Sequence, residues 1–427
     1  MLEISRIARS FVGVGAMKLV AIPATFGTTV LIARLLGPEE FGRYAFVMAL
    51  VPLALLPVAG GLPQLLVREV ALYKRANEWA YVRGVVASAH VWVVSCCVIG
   101  LITYTLAVGP ALFSSISDRW QLLSIALTLV PLFALNEVRR GTIKGLGYPA
   151  IAEAPTQLLQ PLLFLSAVLG LMLAEIMSSM AIILANIIVS SLVLGIATAV
   201  SRGVWARESG DGGVAFDTRR WRAALLPFSL IAFLGTMNTQ IGIVLLGLLG
   251  TDEAVGVMRI GERAAQLVAL PLALVNLVIA PSIVNRWRDR NFMGLQRLST
   301  RSARGALFLA SPLAIVLIVF GGQIIELAFG QEYSGRGYWP LVILVVGQWV
   351  NVVFGSVGVL LMMSGHEKDT VKGQVAALLT NFAVCAMLIP VYGAIGAAIG
   401  TAIGTLVWNS SLAWAVHARL GIRPSAL

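Results

Sequence analysis

Charge is scarce in this chain of 427 residues. Asp, Glu, Lys and Arg together make 12%, against about a quarter in an ordinary soluble domain. A soluble fold of this length needs polar residues to cover its core, so the shortage excludes a large soluble domain. Cysteine is nearly absent. Cys96, Cys97 and Cys385 lie inside apolar runs without CxxC spacing, which excludes a disulfide framework and, with only three histidines, a metal centre. The adjacent Cys96 and Cys97 read as small polarizable side chains packing in a helix, not as a redox pair. No histidine stands in a nucleophile–base arrangement, because His90 falls in an apolar run and His366 and His417 fall beside runs. Acidic residues are few, 20 against 31 basic, and the net charge is +11. In a soluble protein that balance would suggest nucleic acid, so the placement of the basic residues has to decide.

What the chain has instead is apolar length. It is 58% hydrophobic, with a mean hydropathy of +0.89. Crossing the hydrocarbon takes about 20 apolar residues as a helix, because every backbone amide has to find its partner within the segment. Twelve such stretches are expected, near 11–33, 44–66, 84–108, 120–138, 150–172, 178–200, 223–249, 256–282, 305–322, 339–362, 374–390 and 393–416. The first is read as a membrane helix and not a cleaved signal, since Arg6 and Arg9 precede a run that continues to Leu36 and no small-residue cleavage site follows a short apolar core. With a cytoplasmic N-terminus only Arg34, Arg43, Arg119 and Arg336 lie outside, while Lys18, Arg259 and Arg263 lie within spans. The other 24 of the 31 basic residues are then cytoplasmic. This is the positive-inside bias; it accounts for the basic balance without nucleic acid, and an even number of spans puts both termini in the cytoplasm.

The chain also resembles itself. Leu35-Leu36-Gly37-Pro38-Glu39-Glu40-Phe41-Gly42 after the first span matches Leu248-Leu249-Gly250-Thr251-Asp252-Glu253-Ala254-Val255-Gly256 after the seventh, with one inserted residue. Ile143-Lys144-Gly145-Leu146-Gly147-Tyr148 after the fourth span faces Met362-Met363-Ser364-Gly365-His366 after the tenth at nearly the same offset. Duplication is a common construction for transporters. It implies two lobes of six helices each, residues 1–200 and 223–427, inserted in the same sense and joined by a cytoplasmic linker, 201–222, rich in Gly, Asp, Glu and Arg.

Ala33-Arg34-Leu35-Leu36-Gly37-Pro38-Glu39-Glu40-Phe41-Gly42-Arg43-Tyr44 closely resembles the first-loop signature of the polysaccharide flippase family, with Arg34, Gly37, Pro38 and Gly42 as its motif residues. Gly61-Leu62-Pro63, Val67-Arg68-Glu69, Arg140-Gly141 and Lys144-Gly145-Leu146-Gly147 continue the resemblance, and Asn238-Thr239-Gln240-Ile241, Gly250-Thr251-Asp252-Glu253, Met363-Ser364-Gly365-His366 and Ile389-Pro390-Val391-Tyr392-Gly393 extend it through the second half. The resemblance implies an all-α polytopic membrane protein of about twelve transmembrane helices, two six-helix lobes around a central cavity as in the multidrug exporters of the same superfamily. It also implies a substrate, an undecaprenyl-linked oligosaccharide, translocated across the bacterial inner membrane by alternating access for lipopolysaccharide or exopolysaccharide synthesis. Membrane lipids and other polysaccharide-assembly proteins are the remaining expected partners; no nucleic acid and no cofactor are expected. Gly242 stands where many relatives carry an acidic residue, so a coupling ion, H+ or Na+, is left without that anchor and unassigned.

Ionisable groups inside spans are costly and default to function. Arg259, Glu262, Arg263 and Gln266 follow the three-and-four spacing of one helix face. Either Arg263 binds the diphosphate of a lipid-linked sugar through its planar donors, or Arg259 pairs with Glu262 while Arg263 snorkels outward. Lys18 shares a face with Thr25 and Thr29, about 10 Å in from Phe11, and is read both as a phosphate contact and as a snorkelling lysine. Asn238 and Gln240 either meet sugar hydroxyls or join helices. Glu153 is read as pairing with Lys144 or Arg140. Prolines at Pro23, Pro131, Pro227, Pro271 and Pro312 interrupt spans and supply kinks.

Three function classes remain. A flippase needs cations in the membrane. A cation-coupled multidrug exporter would want membrane carboxylates, and only Glu137, Glu153 and Glu262 qualify, all near span ends. A polymerase or ligase acting on the same lipid needs large external loops, and the longest here runs only from about Gln323 to Tyr338.

Overall fold

A computed structural model of the chain describes residues 2–108, 118–208 and 213–426, with side chains described from Met17 to Leu106 and onward from Asp118. The side chains of Arg6 and Arg9 and linker residues 209–212 lie outside the described residues. All regular structure among the described residues is helical. In chain order the helices are α1 (Leu2–Ala59), α2 (Leu62–Arg75), α3 (Trp79–Val108), α4 (Asp118–Ala126), α5 (Leu129–Gly145), α6 (Pro149–Ala154), a π-turn (Pro155–Leu159), α7 (Gln160–Leu173) and α8 (Ser179–Glu208). Then come α9 (Thr218–Leu249), α10 (Asp252–Arg288), α11 (Phe292–Val319), α12 (Gly321–Phe329), a 3-10 turn (Gln331–Tyr333), α13 (Tyr338–Phe354), α14 (Val357–Met363), α15 (Glu367–Tyr392) and α16 (Ala394–Leu420).

Ten helical stretches among the described residues are long and apolar enough to cross a bilayer, and α13 with α14, bent by 44°, makes an eleventh. One of the ten, Met17–Arg75, is 59 residues long. As a single rod it would reach about 90 Å, three times the hydrocarbon thickness of ~30 Å. It is broken at Gly37, whose φ of 74° is not helical, so it accounts for two crossings. The architecture is therefore consistent with about twelve spans, although the stretches expected at 44–66, 120–138, 150–172 and 339–362 are each broken across successive helical segments.

Local irregularities follow their residue types. The π-turn begins at Pro155, which lacks an N–H for the helical ladder, and Pro161 follows it within α7. The bend between α13 and α14 sits at Gly355, φ 71°. Where helices pack most closely, glycine lines the contact. Gly396, Gly400 and Gly404 on α16 face Leu388, Cys385 and Asn381 on α15, and Gly141 and Gly145 on α5 face Pro63, Leu66 and Val70 on α2. Without a hydrophobic drive between helices in lipid, small residues spaced by four let backbones approach.

The compact units are residues Met1–Thr28 with Val47–Thr236, and Thr29–Phe46 with Met237–Leu427. This division departs from a boundary at 201–222 in two places. The middle of α1 belongs to the second unit, and α9 as far as Thr236 belongs to the first. For α1 the reason is local packing within the second unit. Tyr333 Oη donates to the Ala33 carbonyl at 2.9 Å, Arg43 Nε reaches Asp252 at 3.4 Å, and the Gly42 backbone lies directly against that of Asp252. Burial raises the Tyr333 phenol above its ordinary pKa, with Glu332 and Glu253 adding to the shift, which keeps it a neutral donor. The core of the second unit includes Ile279 and Ile283 of α10, Leu360 and Leu361 of α14, and Leu412 and Val416 of α16.

Candidate substrate-binding cluster on α10

Helix α10 starts at Thr251, whose hydroxyl accepts from Ala254 N, with Asp252 and Glu253 in the first turn. Both features complement the positive helix N-terminus. About two to four turns further in, the charged stripe forms. Arg259 Nη1 donates to Glu262 Oε2 at 3.1 Å, each side chain 12% exposed, and Arg259 Nη2 reaches the Ala45 carbonyl at 3.5 Å. Arg263 Nη1 donates to Gln266 Oε1 at 3.1 Å. Among the described residues no ion pair includes Arg263. Two guanidiniums thus stand against one carboxylate, which pairs with Arg259, and the stripe keeps a net positive charge on a membrane helix. In a medium of low dielectric such a charge attracts an anion far more strongly than in water.

Asn238 and Gln240 stand on α9. Asn238 Nδ2 donates to the Gln374 carbonyl on α15 at 3.1 Å, which is helix joining. Gln240 Oε1 is buried with no hydrogen-bond partner among the described residues, as are Gln374 Oε1 and Thr401 Oγ1. At Gly242 a side chain would meet Thr401 Oγ1 at 2.8 Å, so the α16 hydroxyl fills the space where a carboxylate stem would stand. Lys18 belongs to the first unit and has no ion pair among the described residues, whereas the α10 cluster, Asn238 and Gln240 belong to the second.

The first-loop motif is mainly architectural. Gly37 breaks α1, the Pro38 carbonyl lies close against the Gly256 backbone, Gly42 packs on Asp252, and Arg34 is exposed. Glu153 pairs with Lys144 and, at 3.7 Å, with Arg140; it is 8% exposed and not a surface group. Sequence reasoning passed over Glu69 as one letter of a motif. Its side chain is fully buried between Arg68 at 2.6 Å and Arg220 at 3.3 Å, beside the Trp221 Nε1 to Tyr73 Oη bond of 3.1 Å. The end of the linker is thereby docked on the first unit. A carboxylate in an amphipathic helix, α2, was the only signal, and its partner lies far along the chain.

The model of the polysaccharide biosynthesis protein family matches residues 31–336, a span that contains the first-loop motif, α9 and the α10 stripe. The chain belongs to that family. As a polysaccharide biosynthesis protein it is similar, at 23% identity over 90% of its own length and 91% of the other's, to a Shigella flexneri protein named for O-antigen transport. It is also similar, at 21% identity over 50% of this chain and 45% of the other, to a Haloferax volcanii protein named as a low-salt glycan biosynthesis flippase. Its fold is that of an inward-facing multidrug resistance transporter of the MOP superfamily, with a TM-score of 0.77, 15% identity and coverage of 95% of this chain and 98% of the other. It is equally that of the lipid II flippase MurJ in an inward closed conformation, with a TM-score of 0.73, 13% identity and coverage of 94% and 87%. The polysaccharide biosynthesis protein is thus a multi-pass membrane protein whose regular structure, among the described residues, is all helical.

Proposed function

We propose that the chain flips an undecaprenyl-diphosphate-linked oligosaccharide from the cytoplasmic to the outer leaflet of the bacterial inner membrane by alternating access, with both termini cytoplasmic. In this reading residues 1–200 and 223–427 are the six-helix lobes, connected by 201–222. The observation that carries it is the Arg263 guanidinium, held in a membrane span and hydrogen-bonded to the neutral Gln266 while Glu262 is taken by Arg259. A diphosphate supplies the missing anion, and a planar five-donor fork matches its oxygens. Lys18, in a span of the first unit, is a phosphate contact in its own right. Gln240 Oε1, an acceptor without a donor, suits a sugar hydroxyl, since a buried unpaired acceptor is costly. Relatives named for O-antigen transport and glycan flipping support a glycan-bearing cargo. Flipping makes and breaks no covalent bond, so cations, neutral polar groups and a conformational change suffice.

The test is complementation of a deletion strain, reading which membrane face holds the lipid-linked oligosaccharide. Cargo is expected to accumulate on the cytoplasmic face and to clear with the wild type. Arg263→Ala should fail at normal membrane levels, Arg263→Lys should restore part of the flux, and Lys18→Met should lower it. Normal export in the deletion strain with altered drug sensitivity would overturn flipping in favour of drug export. Full complementation by Arg263→Ala would remove Arg263 from the site.

A further inference from the structure

Helix α8 carries an exposed apolar line, Leu184, Ile188, Leu192, Ile196 and Val200, each 38% exposed or more. Spacing by four puts them on one face, and beside them α3 exposes Val91, Val94, Val98 and Ile102. A predominantly apolar exposed face on spanning helices is a lipid-contacting face, and the exposed Ser191 and Thr103 on it satisfy their hydroxyls on their own helices. The line ends abruptly. One turn past Val200 the helix offers Arg202 and Trp205, and with α3 and α5 it forms a groove of about 250 Å³ lined by His90, Arg139, Thr198, Ser201, Arg202 and Trp205.

The groove is built for an anion with an apolar tail. No carboxylate lines it. Arg139 is anchored, its Nη1 donating to the Leu194 carbonyl at 2.9 Å and to Asn136 Oδ1 at 3.3 Å, which leaves Nε and Nη2 without a protein partner among the described residues. Arg202 likewise has no partner among them. Thr198 and Ser201 spend their protons on the Leu194 and Ala197 carbonyls, so the donors left for a ligand are the two guanidiniums, the indole N–H of Trp205 and the outer edge of the His90 ring, whose Nδ1 is at 2.8 Å from the Val86 carbonyl. An indole at this level is an interfacial anchor, and a basic pocket between spanning helices suits an anionic lipid head.

We propose that this groove on the first unit binds the phosphate of an anionic glycerophospholipid, whose acyl chains lie along the apolar line of α8 and the exposed face of α3. The site is separate from the α10 cluster and independent of the cargo that cluster carries. It makes the protein lipid-dependent through a bound, structural lipid.

The experiment is thermal unfolding of the full chain in phosphatidylcholine bicelles titrated with phosphatidylglycerol, with inorganic phosphate as a second arm. Phosphatidylglycerol is expected to raise Tm by several degrees, since a ligand that binds only the folded state stabilises it, and inorganic phosphate to leave it unchanged. Arg139→Gln with Arg202→Gln should keep the Tm seen in phosphatidylcholine alone and lose the shift. Should the loss of the Arg139 anchor unfold the chain, Arg202→Gln with Trp205→Phe keeps that anchor and is expected to lose at least half of the shift. A phosphatidylglycerol shift that survives in the folded variant overturns the site. An equal shift with inorganic phosphate overturns the lipid as its occupant.

Discussion

Arg259 and Arg263 differ by one helical turn, and the difference sorts them into two chemistries. Arg259 is committed: Glu262 takes one of its nitrogens and the Ala45 carbonyl another. Removing one partner of a half-buried pair in a spanning helix leaves the other charge uncompensated, a loss of about 3–5 kcal/mol, whereas replacing both is far cheaper. Arg259→Gln is therefore expected to lower stability by about 3 kcal/mol, and Arg259→Gln with Glu262→Gln to recover more than half of it. A double-mutant cycle by denaturant or thermal unfolding in detergent checks this, and additive losses would show that the pair is not coupled. The stripe itself was legible, because spacing by three and four is a property of neighbouring letters. The Ala45 contact was not, since it joins residues 214 apart and no local pattern encodes it.

Helices are placed here by length and fastened by glycine. The spans were legible because a bilayer imposes one length on every crossing, and proline and glycine marked several of their breaks. The short helix α12 and the assignment of 29–46 to the second unit were not legible, because both depend on contacts made only after the spans assemble. Gly42 is the clearest case. A methyl group there would strike the Asp252 carbonyl, and one on Gly256 would lie 2.6 Å from the Pro38 carbonyl; backbone cannot yield as a side-chain tip can. Gly42→Ala is expected to cost about 1–3 kcal/mol through overpacking. Gly195 on α8 has nothing within 4 Å of an added methyl, so Gly195→Ala should be neutral or stabilise by up to about 1 kcal/mol from helix propensity alone. Thermal unfolding of the two variants side by side reads the contrast, and equal effects would mean that the α1–α10 approach is not tight.

At the scale of the molecule, the repeat read from short motifs has physical counterparts. Gly42 and Gly256, aligned between the two copies, lie against each other within the second unit, with a methyl on Gly256 falling 3.3 Å from Gly42 N. The second aligned pair repeats one helix stop. Gly147 and Gly365 have φ of 94° and 80°, and the residue after each, Tyr148 and His366, donates its N–H to the carbonyl five residues back, Ile143 and Leu361, the arrangement that closes a helix on a left-handed glycine. In the proposed topology both halves insert in the same sense, with the direction chosen by the basic residues. That topology puts Gln331, exposed in the short turn between α12 and α13, outside and Lys372, near the start of α15 and 78% exposed, inside, with the α13–α14 crossing between them. In a background with Cys96, Cys97 and Cys385 replaced by alanine, Gln331→Cys should react with a membrane-impermeant maleimide in intact spheroplasts. Lys372→Cys should react only in inside-out vesicles. The reverse pattern would invert the topology and, with it, place the groove of Arg139 and Arg202 in the outer leaflet, while labelling of both positions from one side would remove the α13–α14 crossing and the twelve-span count that depends on it.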